Sequence, residues 1–284
     1  MHTDTVPDLL VVGHVCHDKL PDGTYTLGGA VAYSGLQAQR LGYHVAAITS
    51  FGPDFQFAGL FQDMEMKVVP AARTTVFENI YQDGARSQYL HARAADLVCE
   101  PTSFKYWQSK AALLCPIADE VSFDFIQFLS GKTITCVCPQ GWMRRWDGNG
   151  KVFRKLLNNW EFITTADIVC MSENDVDQDW DLIVSIGRAA NLLIVTQGAG
   201  GATVFQKGMT SHFPSFPTRE VDPTGAGDVF AAAFTLKFSE TRLLGDAMAY
   251  AHATASLRVE GKGVQALPTA KAVEKRYLEY LSKI

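Results

Sequence analysis

Val221-Asp222-Pro223-Thr224-Gly225-Ala226-Gly227-Asp228-Val229-Phe230-Ala231-Ala232-Ala233-Phe234 is the stretch from which the rest of the chain can be read. A proline and two glycines around an alanine do not suit a strand interior. They run straight into an alanine-rich helical pattern, so the segment reads as a side-chain-poor turn at a helix N-terminus. The first N–H groups of a helix lack intrahelical partners, and the helix dipole adds partial positive charge there. Such a turn suits a phosphate, or charge developing on one. A Cβ would hold the phosphate away from the backbone. Asp228 follows directly. A carboxylate at a helix start is commonly a cap; beside an anion cradle it can also take the proton of a hydroxyl that attacks phosphorus. The turn lacks Walker A spacing, and no Gly-Lys-Ser/Thr follows it. It also lacks the third glycine of a dinucleotide fingerprint and does not follow the first strand.

Upstream, apolar runs alternate with helical patterns. Strands are expected at residues 8–13, 24–27, 45–51, 111–115, 133–138, 167–171 and 192–196. Helices are expected at 30–41, 57–64, 121–129, 152–160, 182–190, 227–238, 242–259 and 270–281. Residues 66–94 have a different texture, with alternating runs on either side of Gln82-Asp83-Gly84-Ala85, a hairpin turn signal. They read as extended β structure projecting from the main body. Alternating strands and helices predict an α/β chain with a mainly parallel sheet covered on both faces. No repeat or long linker divides it, so residues 1–284 read as one domain with an early β insertion.

Two separated motifs give this reading a family likeness. Asp222-Pro-Thr-Gly-Ala-Gly-Asp228 with its small-residue helix resembles the C-terminal signature of the ribokinase-like (PfkB) carbohydrate kinases. Gly28-Gly29-Ala30-Val31-Ala32-Tyr33, with Leu41-Gly42 closing its helix, resembles the N-terminal one. The strand–helix order follows the family over essentially the whole chain. The resemblance implies a three-layer α/β/α sandwich with a small β lid, formed from about 16–28 and 66–94. It implies an ATP- and Mg2+-dependent kinase acting on a hydroxyl of a small sugar or cyclitol, myo-inositol-like, pentose or hexose. A nucleoside kinase of the same fold, or a non-catalytic sugar or nucleotide sensor, are the alternatives. Asp228 is then the general base, and the N–H groups of Gly225, Ala226 and Gly227 form the anion hole. Asp18 would bind substrate hydroxyls, while Gly28 and Gly29 let backbone approach the ring. Tyr33 stands where sugar kinases of this type often have Asn, a departure from the usual hexose or ribose pattern. Asp54 matches a family element that is more often structural.

Ser172-Glu173-Asn174-Asp175 lies where the family carries Asn-x-x-Glu near metal and phosphate. Both end positions differ, so Asp175 would reach a metal through water, or Glu173 would take over. Thr196-Gln197-Gly198-Ala199-Gly200-Gly201 resembles the family's Thr-x-Gly-x-x-Gly near the nucleotide, and equally reads as a β-turn. His252 is a candidate for the adenine pocket or for the core. Cys138 to Trp146 reaches the cleft in the resembled fold, so Gln140 and Arg144 are candidates for substrate or phosphate contact. Some family members pair through their lids, and Phe77, Tyr81 and Tyr89 are the candidate patch for such a homodimer.

Composition fits these expectations. Apolar residues make up 47% and charged residues 19%, as in a folded globular chain. The net charge of −5 with no basic stripe argues against nucleic acid. The six cysteines sit largely in apolar runs and read as reduced core thiols, without zinc-knuckle spacing. No signal peptide opens the chain and no apolar run approaches the ~18 residues that span a bilayer, so a cytoplasmic protein without membrane partners is expected.

Overall fold

Strand-forming runs in this chain are short and apolar on both faces. Leu9 and Val11 point to one side of the sheet and Leu10 and Val12 to the other, all inaccessible to solvent. The same alternation separates Val45 and Ala47 from Ala46 and Ile48, and Leu192 and Ile194 from Leu193 and Val195. Strand side chains alternate with period two, so such strands need an apolar layer on each face.

The computed structural model describes residues 6–82, 85–100, 105–157 and 160–282. The chain runs through β1 (Leu9–Val12), β2 (Cys16–Lys19), β3 (Tyr25–Gly28), α1 (Ala30–Arg40), β4 (Val45–Phe51), β5 (Glu65–Pro70), β6 (Thr75–Gln82) and β7 (Ala85–Ala92). It continues through β8 (Ala111–Leu114), α2 (Asp124–Leu129), β9 (Ile134–Val137), β10 (Arg144–Trp146), β11 (Val152–Arg154), α3 (Phe162–Thr165) and β12 (Ile168–Ser172). Last come α4 (Trp180–Ala189), β13 (Leu192–Thr196), β14 (Ala202–Gln206), β15 (Met209–Phe213), α5 (Ala226–Thr241), α6 (Leu244–Arg258) and α7 (Ala270–Leu281).

A nine-stranded sheet has the order β15-β14-β13-β12-β9-β8-β1-β4-β5. It is parallel from β13 to β5, and β14 and β15 add an antiparallel edge. Helices α1, α5, α6 and α7 contribute to the core on one face, and α2, α3 and α4 to the core on the other. This is the expected three-layer α/β/α sandwich. Strands β3-β2-β6-β7 form a separate four-stranded sheet, the lid. His17 on its body-facing side stacks on Phe55 at 5.6 Å between ring centres and accepts the Gln56 N–H, tying the lid to the main body.

Three expectations change. Residues 66–70 belong to β5, paired with β4 in the main sheet, so the lid takes only the later part of 66–94. The helix expected at 57–64 is a single 3-10 turn, Ala58–Phe61. The helix expected at 152–160 is absent among the described residues. Val152–Arg154 instead pairs with Arg144–Trp146 as a β ribbon, which the lid grips through Leu90 N–H donating to Gly150 O at 2.8 Å. Strand β6 ends at Gln82 and β7 begins at Ala85, flanking the expected hairpin turn, whose Asp83 and Gly84 lie outside the described residues. No helix among the described residues is long and apolar enough to cross a membrane.

Candidate active site

Strand β1 continues to β4 on one side, and β8 then lies on its other side, so the strand order reverses at β1. In open α/β sheets, ligands bind outside the carboxyl ends of strands at such a point. A cavity of about 840 Å³ lies there, lined by Cys115, Cys138, Ser172 and Thr196 at the ends of β8, β9, β12 and β13. Its size suits two small ligands side by side.

The Asp222–Asp228 turn forms one wall. Gly225 is the N-cap of α5, with φ 75° and ψ 3°, a left-handed conformation that favours glycine. Of the three expected anion-hole donors, Ala226 is taken up by the turn itself, its N–H donating to Pro223 O at 3.1 Å. The Gly225, Gly227 and Asp228 N–H groups make no backbone hydrogen bond among the described residues. Of the expected trio, Gly225 and Gly227 thus keep unengaged N–H groups, as does the neighbouring Asp228. The Asp228 carboxyl faces the cleft half-buried, and burial pushes its pKa from the usual 3.8 up to about 7. Arg144 pulls it down, while Asp175 and Asp18 push it further up. Ser34 donates to Asp228 O at 3.0 Å, fixing the backbone from α1.

The lid presents one face to this wall. Period-two alternation puts Cys16 and Asp18 of β2, Phe77 and Asn79 of β6, and Gln88 of β7 along the cavity. A Cβ on Gly28 would lie 2.3 Å from Asp18 Oδ2, so Gly28 leaves room for that carboxylate but does not itself line the cavity. Gly29 does line it, at φ 95°. Tyr33 reaches the cavity, but its ring lies against Gly225 and is nearly inaccessible. Phe77, at 3% exposure, faces the cavity and not an outer patch; the side chain of Tyr81 is not among those described. Asp54 is structural, accepting from both the N–H and the hydroxyl of Thr74.

Gln140, just after β9, and Arg144, which opens β10, are joined to the end of β12. Arg144 donates to Gln140 Oε1 and to Ile117 O, each at 2.8 Å, and Gln140 Nε2 donates to Asp175 Oδ1 at 2.9 Å. Asp175 Oδ2 accepts the Ser172 N–H in a capping box. Loop residues Ile117 and Ala118 are held by N–H bonds to the buried carboxylate of Glu120.

The far end of the cavity is lined by Thr196, Gly198, Pro214, Ser215, Phe216 and His252. His252 is buried with Nε2 lacking a hydrogen-bond partner among the described residues, and burial lowers its pKa to about 4. Gly201 does not line the cavity. Its φ of 97° and the 2.2 Å approach of Phe213 O to a hypothetical Cβ make it a turn residue between β13 and β14.

Glu173 is likewise outside the cavity, its Oε2 at 3.5 Å from Gln197 Nε2. No cluster among the described residues holds three potential metal ligands. Asp18, Asp175, Glu220 and Asp228 line the cavity with Arg144 as the one lysine or arginine among the described residues there. Of the two expected metal candidates only Asp175 lines the cavity, and its two oxygens accept from Gln140 and Ser172. The thiols of Cys115 and Cys170 are buried, and burial pushes Cys115 up to about 11, as expected of inert core cysteines. Sequence reading missed Asn79, Gln88 and Phe216 and gave Phe77 to an outer patch; only the alternation within β6 and β7 could have pointed to Phe77, Asn79 and Gln88.

Residues 151–271 match the model of the pfkB family carbohydrate kinase. A cytidine kinase of Thermococcus kodakarensis is 27% identical over 252 residues, 84% of this chain and 90% of that protein. An inositol 3-kinase of Zea mays is 27% identical over 264 residues, 84% of this chain and 69% of that protein. The solved structure of a pyrophosphate-dependent kinase in the ribokinase family, complexed with a pyrophosphate analog and myo-inositol, is similar with a TM-score of 0.77 at 22% identity, over 94% of this chain and 99% of that one.

Proposed function

We propose that this chain, a ribokinase-type sugar or nucleoside kinase and thus a phosphotransferase acting on a hydroxyl, transfers the γ-phosphoryl group of ATP to a small polyol. The observation that carries the reading is the shared cavity of Asp18, Asp228 and the Gly225 turn. Asp18, on the lid, accepts hydrogen bonds from substrate hydroxyls, since a carboxylate offers two acceptor oxygens. Asp228 takes the proton of the hydroxyl whose oxygen attacks phosphorus. The N–H groups of Gly225, Gly227 and Asp228 hold the charge developing on the transferred group, a role worth roughly 3–4 kcal/mol per donor where tested. Arg144 faces the same charge as a fixed cation. The base and sugar of the nucleotide lie toward Thr196, Gly198, Phe216 and His252. Mg2+ bound with the phosphates would offset the negative charge of the cleft, with Asp175 as the residue to hold it through water. Lid closure excludes water and limits hydrolysis of the donor.

A cyclitol such as myo-inositol is the preferred acceptor, supported by the inositol 3-kinase likeness and by a lid face of Asp18, Asn79 and Gln88, all able to bond hydroxyls. The cytidine kinase likeness favours a nucleoside as the second reading. The test is product release with MgATP, and with pyrophosphate as a second donor, against myo-inositol, ribose, fructose and cytidine. Turnover with a polyol is expected. Turnover with cytidine alone would transfer the site to the second reading, and pyrophosphate as the sole donor would overturn the ATP assignment.

A further inference from the structure

Beside the Gly225 turn, outside the cavity lining, lies a buried arginine for which the proposed chemistry has no direct use. Arg258 ends α6 with no accessible surface, in a stretch otherwise made of small and apolar residues. Its guanidinium collects three oxygens from two loops. One Nη donates to Gly261 O at 2.8 Å and reaches Asp222 O at 3.5 Å; the other lies 3.2 Å from Asp222 Oδ2. Asp222 in turn accepts the N–H of Thr224 at 2.9 Å and of Gly263 at 3.2 Å. The guanidinium carbon also lies 5.1 Å from the centre of the Tyr33 ring. That ring is the surface against which Gly225 packs, for a Cβ there would stand 2.3 Å from Tyr33 Cγ. The Tyr33 ring therefore touches both the guanidinium and Gly225.

Such an arrangement is weak evidence of a purely stabilising role. Arg258 Nε has no hydrogen-bond partner among the described residues, and a buried ion pair is often no better than a well-packed apolar pair of the same volume. A rigid second layer is, however, what an anion hole needs, since its donors act only when held at the position the charge will occupy. We infer that Arg258 is a positioning residue that fixes the Gly225–Asp228 turn through Asp222 at its start and the Tyr33 ring packed against it. The inference rests on the proposed phosphoryl transfer. It also gives Tyr33 a different role from substrate contact: the tyrosine touches both the turn and the guanidinium.

Arg258→Met, Asp222→Asn, the double variant and Tyr33→Phe test it, with whichever acceptor the wild type phosphorylates. Arg258→Met is expected to lower kcat at least tenfold and to leave the acceptor KM within about threefold. It should weaken binding of ADP–aluminium fluoride about tenfold while ADP alone binds as before. The double variant should be no slower than the worse single, because both sever one tether. Guanidinium at millimolar concentration should restore part of kcat to Arg258→Met but not to the wild type or to Tyr33→Phe, which keeps the ring and should stay within about fivefold of wild type. Wild-type kcat in folded Arg258→Met, a loss confined to KM, or additive losses in the double variant each overturn the inference. Should Arg258→Met fail to fold, Asp222→Asn carries the same comparison. A wild type without turnover on any acceptor removes the kinase reading itself, whereas an active wild type with unaffected variants removes only this inference.

Discussion

Replacing Asp228 by Asn should abolish turnover and at the same time stabilise the ligand-free protein, by an amount that grows with pH. The folded chain holds this carboxyl at a pKa of about 7, against 3.8 when exposed, chiefly through burial. Below pH about 4 the group is protonated in both states and costs nothing. Between about 4 and 7 the unfolded chain has lost the proton while the folded chain keeps it, so stability falls as pH rises. Above about 7 the penalty is constant. A shift of this size corresponds to at most about 4 kcal/mol at ~1.4 kcal/mol per pKa unit. Water in the open cleft screens part of that, leaving about 1–3 kcal/mol. For a chain of this length the effect is roughly 2–6 °C in Tm. Asparagine cannot ionise, so the Tm difference between Asp228→Asn and wild type should rise between pH 5 and 8 and then level off. Thermal unfolding by circular dichroism in phosphate-free buffer measures it. A difference that stays flat with pH, or a variant less stable at pH 8, would refute the placement of this carboxyl in a desolvated cleft. Turnover of the same variant should fall by 10²–10⁴-fold, the usual range for a general base.

Other perturbations follow from the same geometry. The wild-type kcat/KM should fall as pH drops below about 7, because Asp228 must be ionised to take the proton, and the log–log slope should approach one; a flat profile from pH 5.5 to 8 contradicts that role. Gly225→Ala forces a Cβ into the Tyr33 ring at a φ of 75°, and should cost about 2–4 kcal/mol of stability along with most of kcat, measured by denaturant unfolding and initial rates. Gly28→Ala places a methyl 2.3 Å from Asp18 Oδ2; displacement of that carboxylate should raise acceptor KM about tenfold or more while donor KM stays within twofold. Gln140→Leu breaks the link between Arg144 and Asp175 and should raise donor KM or the Mg2+ requirement severalfold with little change in acceptor KM, read from initial rates across an Mg2+ series.

Much of the sheet was legible because its strands are buried on both faces and so read as short apolar runs; residues 45–51 and 192–196 coincide with β4 and β13. The Asp222–Asp228 motif was legible for a local reason. Proline, glycines and a following alanine-rich segment fix a turn and a helix start with little help from the rest of the chain. Where distant partners decide, the reading failed. Residues 152–154 carry a helix-compatible pattern, but pairing with 144–146 and the backbone hydrogen bond from Leu90 to Gly150 make them a ribbon. Residues 66–70 look like the start of the lid, yet a parallel register with β4 draws them into the main sheet.

The site divides in the same way. Sequence alone determined a side-chain-poor turn at a helix start with a carboxylate directly after it, because those properties belong to neighbouring residues and to the free N–H groups of a helix start. Tertiary structure alone decided that Ala226 is taken up by the turn, that Glu173 and Gly201 stand outside the cavity, and that the Tyr33 ring packs against Gly225. It also decided that Arg258, 30 residues beyond Asp228 in sequence, anchors the start of the turn. Hydrogen-bond geometry, burial and the shift of the Asp228 carboxyl are set by groups brought together from α1, α5, α6, the lid and the ends of β9 and β12, and no spacing along the chain encodes those distances.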